Sequence, residues 1–373
     1  MCSKLWDSIS AYQHNSENIK FNTGVDPDAA NTAAPVKGAP HWQNGEYKVS
    51  YKILNEEVYQ VEGALLCGHM FYEFAPSVEE KYWTDFQDIF SKKKFKGRHG
   101  EITICANWEE MIAYCLQRKY ERKSDLRIKA TGLSARKYSK GQRRSIYAEY
   151  VELFLNYIFL AVNISAPGGF ELYGAKLHRN DYLAIHEFKM CAEYYIFYKQ
   201  ILKVNNWPII EIISLKEVNN WLQAVDIGTK QMSTNRTEKA LFSFLHLAYV
   251  NDYLVDSVLW LSYALEGLYD TPFAAIKKML TDRICLVLGS PSNEQKKAIG
   301  QFYDIRSSLF HGRMEIHHPM NNELLDPSVD KNWVDLPDHI ATATVIVIAT
   351  IQRLVLTKSR YFTFTETFSA DRI

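Results

Sequence analysis

Clustered cysteine is missing from this 373-residue chain: Cys2, Cys67, Cys105, Cys115, Cys191 and Cys285 are scattered, with no Cys-x-x-Cys pair. A structural zinc site needs grouped ligands, so neither metal nor other cofactor is expected. Reduced thiols in a cytosolic protein account for the six. No hydrophobic stretch of signal-peptide length follows Met1. The longest apolar runs, Val151 to Val162 and Val345 to Leu356, are interrupted by asparagine or by Gln352 and Arg353. Both fall short of the roughly 20 residues of a membrane span. These absences predict a cytoplasmic protein that does not enter a membrane. Also missing are a Gly-x-x-x-x-Gly-Lys phosphate loop, a dinucleotide fingerprint and a Gly-x-Ser-x-Gly elbow; Gly168-Gly169 is only a turn signal. No internal repeat is evident.

Net charge is missing too, with 43 Lys and Arg against 43 Asp and Glu. The local distribution is uneven. Between Lys92 and Arg144 there are 16 basic and five acidic residues, a local excess of +11. The groups are Lys92, Lys93, Lys94, Lys96 and Arg98, then Arg118, Lys119, Arg122, Lys123, Arg127 and Lys129. Arg136, Lys137, Lys140, Arg143 and Arg144 complete them, with Tyr120 and Tyr138 interleaved. Cations that track a backbone beside stacking aromatics suit single-stranded RNA. A solvated surface balanced by acidic neighbours, with Lys92 to Lys94 in an exposed loop, is the competing expectation.

An apolar content of 47% and 13% aromatics provide for a filled core, and the length suits two domains. Asn22 to Asn44 reads as an irregular loop, and Glu46 to Ala75 as strands, with alternation in Tyr47 to Ile53. Gly100 to Cys105 predicts a further strand and Trp108 to Glu121 a helix. Helices follow over Ser145 to Val162, Leu183 to Val204 and Ser214 to Ala224. The polar break Asp226 to Glu238 marks a boundary, giving a mixed α/β region over 1–225 and a helical one over 238–373.

In the helical region the spacing predicts one long helix over Lys239 to Tyr269. Thr271-Pro272 opens a second, which Gly289-Ser290-Pro291 stops. Ser292 with Gln295 forms a capping box for a third, ended by Gly312, and His339 to Leu356 makes a fourth.

The third helix carries the chemistry. Arginine clamps phosphate oxygens with a forked donor array, and histidine moves protons near neutral pH. Arg306 and His311 stand five residues apart, some 140° around an ideal helix, so one regular helix does not aim both at one phosphate. A two-fold dimer that joins this helix from two protomers solves the problem. There a histidine takes the proton of an RNA 2′-hydroxyl, which attacks the neighbouring phosphorus. The arginines stabilise the phosphorane charge, and a 2′,3′-cyclic phosphate is left. The plainer alternative is an arginine paired with Asp304 or a neighbour and a histidine that caps the helix end. His317-His318, with Glu315 and His311, invites a metal reading but lacks a second ligand pair at credible spacing.

Tyr303-x-x-Arg306-Ser307-x-x-x-His311-Gly312 resembles the signature of the HEPN superfamily, in particular its Apea-like branch. The phrase Leu261 to Leu268, the helix with Asp282-Arg283 and the final apolar helix fit the same pattern, so the resemblance spans about Lys239 to Leu356. It implies a C-terminal HEPN-like four-helix bundle; with the patterning of the first part, the chain is expected to be mainly α with an α/β N-terminal region that senses or positions a target. It further implies homodimers and, in many members, metal-independent endoribonuclease activity in toxin or anti-phage defence systems, with an antitoxin or defence-system partner. Arg306 and His311 then form the catalytic pair, supported by Tyr303, by Ser307 and by Glu266, which orients the pair or braces the bundle. RNA contacts fall to Arg136, Lys137, Lys140, Arg143 and Arg144. Other members keep the fold as a non-catalytic RNA-binding or dimerisation module.

Overall fold

The computed structural model describes residues 56–66, 78–117, 126–179, 184–187, 207–249, 255–271, 276–315, 318, 324–325 and 336–365. All belong to one compact unit, Leu54–Ile373. An antiparallel sheet comes first and a mainly helical region follows. The strands are β1 (Glu56–Leu66), β2 (Lys92–Gly97), β3 (Gly100–Asn107), β4 (Leu126–Thr131), β5 (Phe170–Arg179) and β6 (Ala184–Glu187). Their order is β2-β3-β4-β1-β5-β6, every pairing antiparallel.

Alternation drives the sheet. Ile102, Ile104 and Ala106 of β3 are buried, as are Leu126, Ile128 and Ala130 of β4 and Tyr59 and Val61 of β1, while the intervening residues face outward. Against the buried face lie α1 (Glu79–Phe90), α2 (Glu109–Leu116) and α3 (Lys140–Ser165). Phe86 centres an aromatic cluster, with ring centroids 4.9 Å from Phe90 and Trp108 and 5.7 Å from Trp83.

The helical region holds α4 (Leu215–Val225), α5 (Arg236–Leu247), α6 (Val255–Tyr269), α7 (Ile276–Leu288), α8 (Asn293–Phe310) and α9 (Leu336–Leu356). α6, α7, α8 and α9 each pack on the other three, and α5 lies along α6. α3 touches β3, β4 and β5 and also α4, α5 and α9, so one core runs through sheet and helices.

Two helices, Lys140–Ser165 and Asp338–Leu356, have the length and apolarity to cross a bilayer, although the uninterrupted apolar runs had looked too short. Of their most apolar windows, 67% and 78% are buried inside the protein, which gives them the character of core helices. Polar side chains of these helices are satisfied internally: Asn156, which breaks the first run, accepts from the Tyr249 hydroxyl at 2.9 Å. Asn163 donates to the Phe170 carbonyl at 3.0 Å and accepts from the Gly168 N–H at 2.9 Å. Gln352 donates to the carbonyls of Ile164 and Glu211 at 2.7 and 2.8 Å. A buried amide is tolerated when such partners exist.

Several expectations change. Lys92 to Lys94 form edge strand β2, since Phe95 anchors the segment in the core. Where a helix was expected from Leu183, residues 184–187 form β6, which pairs with β5; residues 180–183 and 188–206 lie outside the described set. α3 starts earlier than expected because Ser139 and Gln142 build a capping box, with bonds of 3.3 and 2.9 Å. The single helix expected over Lys239 to Tyr269 is two: α5 closes with tightened bonds from the N–H of Ala248 to the Leu245 carbonyl and of Tyr249 to that of His246. The strand alternation in Tyr47 to Ile53 also lies outside the described residues.

The polar break is built around a buried carboxylate. Glu238, 1% exposed, accepts from Lys230 Nζ at 2.7 Å and from the Thr234 N–H and hydroxyl at 2.6 and 2.8 Å. Burial alone raises its pKa, but these donors outweigh it and hold the carboxyl at about 2, against 4.5 ordinarily. A depressed pKa contributes stability that is complete above the ordinary value and lost as pH falls from 4.5 towards 2. Glu238→Gln is therefore expected to cost about 1–3 kcal/mol at neutral pH. Urea midpoints measured against pH should show a flatter acid limb in the variant; parallel limbs refute this role.

Candidate functional site

α8 is cut to length at both ends. Gln295 N–H donates to Ser292 Oγ at 3.2 Å and Ser292 N–H to Gln295 Oε1 at 2.7 Å. At the other end Gly312 takes φ +64°, open to glycine without a Cβ penalty. Its N–H reaches the Leu309 carbonyl at 3.2 Å, and Arg313 N–H reaches that of Ser308 at 2.8 Å. This Schellman closure leaves His311 as the C-cap, exposed, its N–H on the Ser307 carbonyl at 3.1 Å.

The buried stripe Ile299, Phe302 and Tyr303 turns Arg306 towards α6. There Nη2 lies 2.9 Å from Glu266 Oε1, with both side chains about three-quarters buried. On its other flank the guanidinium sits 4.4 Å from the centroid of the Phe310 ring. Arg306 Nε and the Tyr303 hydroxyl are buried beside this pair and have no hydrogen-bond partner among the described residues. Burial pushes the Glu266 carboxyl above the usual carboxylate range although Arg306 pulls the other way. The Tyr303 hydroxyl is raised by burial and by Glu266. The fixed cation thus has an electrostatic brace and an aromatic one, and keeps a spare donor at Nε.

Glu266, Tyr303 and Arg306 are therefore brought together. Ser307 lies half-buried and supplies the carbonyl under His311. His311 stands apart: among the described residues no hydrogen bond or ion pair joins it to Arg306. Asp304, the neighbour that the sequence offered to Arg306, instead pairs with Lys277 at 2.8 Å through both oxygens. Phe310 went unforeseen, although its i+4 spacing from Arg306 is the signal for such a contact. Arg283 of the Asp282-Arg283 phrase is buried and closes the end of α6, donating to the carbonyls of Tyr269, at 2.7 Å, and Asp270.

Of the expected RNA contacts, Arg136, Lys137 and Lys140 are exposed on the β4–α3 connection and the first turn of α3. Arg143 is used internally, donating to the Tyr138 carbonyl at 2.9 Å. Arg144 Nε stands 4.0 Å from Glu57 Oε2. The first turn of α3 carries no acidic residue, so its N-terminal dipole adds to this positive field. Arg118, Lys119, Arg122 and Lys123 lie outside the described residues.

Among the described residues no group of three His, Cys, Asp or Glu is placed to hold a metal; His317 is not among them. Cavities of about 440 Å³, between α3 and α5, and about 500 Å³, between α7 and α9, are lined by neither Arg306 nor His311. Compared with protein-family models, curated proteins and solved structures, the chain matches none.

Proposed function

We propose that this protein is a metal-independent endoribonuclease of HEPN type, in which α6 to α9 form the four-helix bundle of 238–373 and the region 1–225 senses or positions the target. One observation supports this most: Arg306 is held by Glu266 and Phe310 on the last turn of α8, and His311 is presented to solvent at the cap five residues on. A fixed guanidinium suits stabilisation of a phosphorane, and an exposed imidazole suits proton transfer. Since a spacing of five residues along α8 does not aim both side chains at one phosphate, the active unit is a two-fold dimer in which α8 of each protomer contributes. The protein acts in the cytoplasm, in a defence or toxin system, with a protein partner that restrains it.

A second reading follows from the same pair. Arg306 already has a carboxylate partner in its own chain, as a brace in a non-catalytic RNA-binding or dimerisation module would. One experiment separates the two. Wild type and His311→Ala are incubated with labelled RNA in EDTA, and the ends are mapped. The nuclease reading expects 2′,3′-cyclic phosphate ends and a loss of about 10²–10⁴-fold in the variant. Cleavage at the same rate in both proteins rejects the assignment of His311, and no cleavage by either leaves the binding module. Separately, charge reversal at Arg136 and Lys137 is expected to weaken RNA binding about ten-fold and flatten its salt dependence; filter binding across a salt series checks this.

A further inference from the structure

We propose that the cavity of about 440 Å³ between α3 and α5 binds an uncharged, mainly apolar small molecule that carries a hydrogen-bond acceptor. Two helix faces and a loop make its walls. Leu153, Tyr157 and Leu160 of α3 recur at helical spacing, as do Phe242 and Leu245 of α5, so each helix turns an apolar stripe to the cavity. Ile227, in the connection from α4 to α5, adds a third apolar wall. That wall is fixed before any ligand arrives. Lys230 N–H donates to the Ile227 carbonyl at 2.8 Å, Lys230 Nζ lies 2.7 Å from Glu238, and the Thr229 hydroxyl donates to the Lys96 carbonyl at 3.2 Å. A preformed wall spares the ligand an ordering cost. The volume falls in the range of about 300–1,000 Å³ usual for small-molecule sites.

Charge decides the ligand class. Among the described residues the lining holds two groups able to bear positive charge, Lys230 and His246. The Glu238 carboxylate meets Lys230. Burial lowers the His246 pKa, so its imidazole is neutral at pH 7, and Trp260 covers one of its faces, with centroids 3.8 Å and planes 3° apart. Two further charges stand behind the walls and do not line the cavity. The Lys93 ammonium lies over the Tyr157 ring, 3.7 Å from its centroid, and the Glu152 carboxylate accepts from the Tyr249 hydroxyl at 3.0 Å. An entering ion loses its water and meets no free counter-charge.

One polar group on this lining keeps spare capacity. Asn156 Oδ1 accepts from the Tyr249 hydroxyl at 2.9 Å, while Nδ2 makes no hydrogen bond among the described residues. An acceptor on the ligand completes that amide. Water is the competing occupant. At about 30 Å³ each, on the order of a dozen molecules fill the space, and the apolar walls offer few of them the roughly two to four partners that hold a buried water. Their displacement by apolar surface is favourable. The cavity shares no residue with the Arg306 pair, so the inference is independent of the nuclease reading.

The test uses the full chain and prodan, an uncharged naphthalene that carries one carbonyl acceptor and whose emission shifts to the blue in apolar surroundings. Saturable binding at a single site is expected. Leu153→Trp and Leu245→Trp, at half-buried positions, fill the cavity from opposite helices. Each is expected to bind prodan at least about ten-fold more weakly, because the indole takes the volume of the ligand. Melting curves show which variants are folded. Asn156→Leu is expected to weaken prodan about three-fold, within the range for one hydrogen bond. Anilinonaphthalene sulfonate, of similar size but anionic, should not displace prodan. Absence of prodan binding by the wild type overturns the proposal, as does unchanged affinity in either folded tryptophan variant. Unchanged affinity in Asn156→Leu overturns the acceptor, and displacement by the sulfonate overturns the uncharged assignment.

Discussion

Arg306→Ala is expected to lower RNA cleavage by about 10²–10³-fold, the range found when one preorganised donor is removed from a developing anion. On the proposed reading the effect falls on turnover rather than on affinity, with most phosphate contacts assigned to cations elsewhere. Arg306→Lys is expected to restore little. The lysine keeps the charge, but it cannot lie against the Phe310 ring and Glu266 while still offering a planar fork. Glu266→Gln removes the charged brace and leaves the donor array, so a smaller loss of about ten-fold is expected. Single-turnover cleavage, with binding measured on uncleavable RNA, separates these outcomes. Full activity in Arg306→Ala ends the proposed role.

The second large effect concerns stability. Phe86→Ala is expected to cost about 3–5 kcal/mol, the range for truncating a buried phenylalanine. Its ring lies in edge-on contact with Trp83, Phe90 and Trp108, and none of these four is more than 1% exposed. Because α3 is packed on the sheet at one side and on α4, α5 and α9 at another, the loss should be shared by both regions. Urea unfolding followed by tryptophan fluorescence and by far-ultraviolet circular dichroism should give coincident transitions, shifted together in the variant. Two separated transitions, with only the first displaced, contradict a continuous core.

The features that could be read without coordinates are those whose cause lies within a few residues. The capping box Ser292–Gln295, the stop at Gly312 and the helical spacing of Ala298, Ile299, Phe302, Ile305 and Leu309 mark α8, and with it the places of Arg306 and His311 along the chain. Alternation likewise marks β3. The misread features depend on partners far away in the chain. β6 is a strand because β5 lies beside it, and the helical run from Lys239 breaks where α5 turns back to pack on α6. α3, expected as a helix over Ser145 to Val162, is the exception: its earlier start has a local cause in the capping box of Ser139 and Gln142.

The amino-acid order by itself determined the helix that bears Arg306 and His311, because capping and side-chain periodicity act over a turn or two. Tertiary structure alone decided that Arg306 meets Glu266 rather than Asp304, and that β6 lies beside β5. Those juxtapositions arise from which buried faces pack together and in what register, a free-energy balance summed over the whole core that no local segment contains.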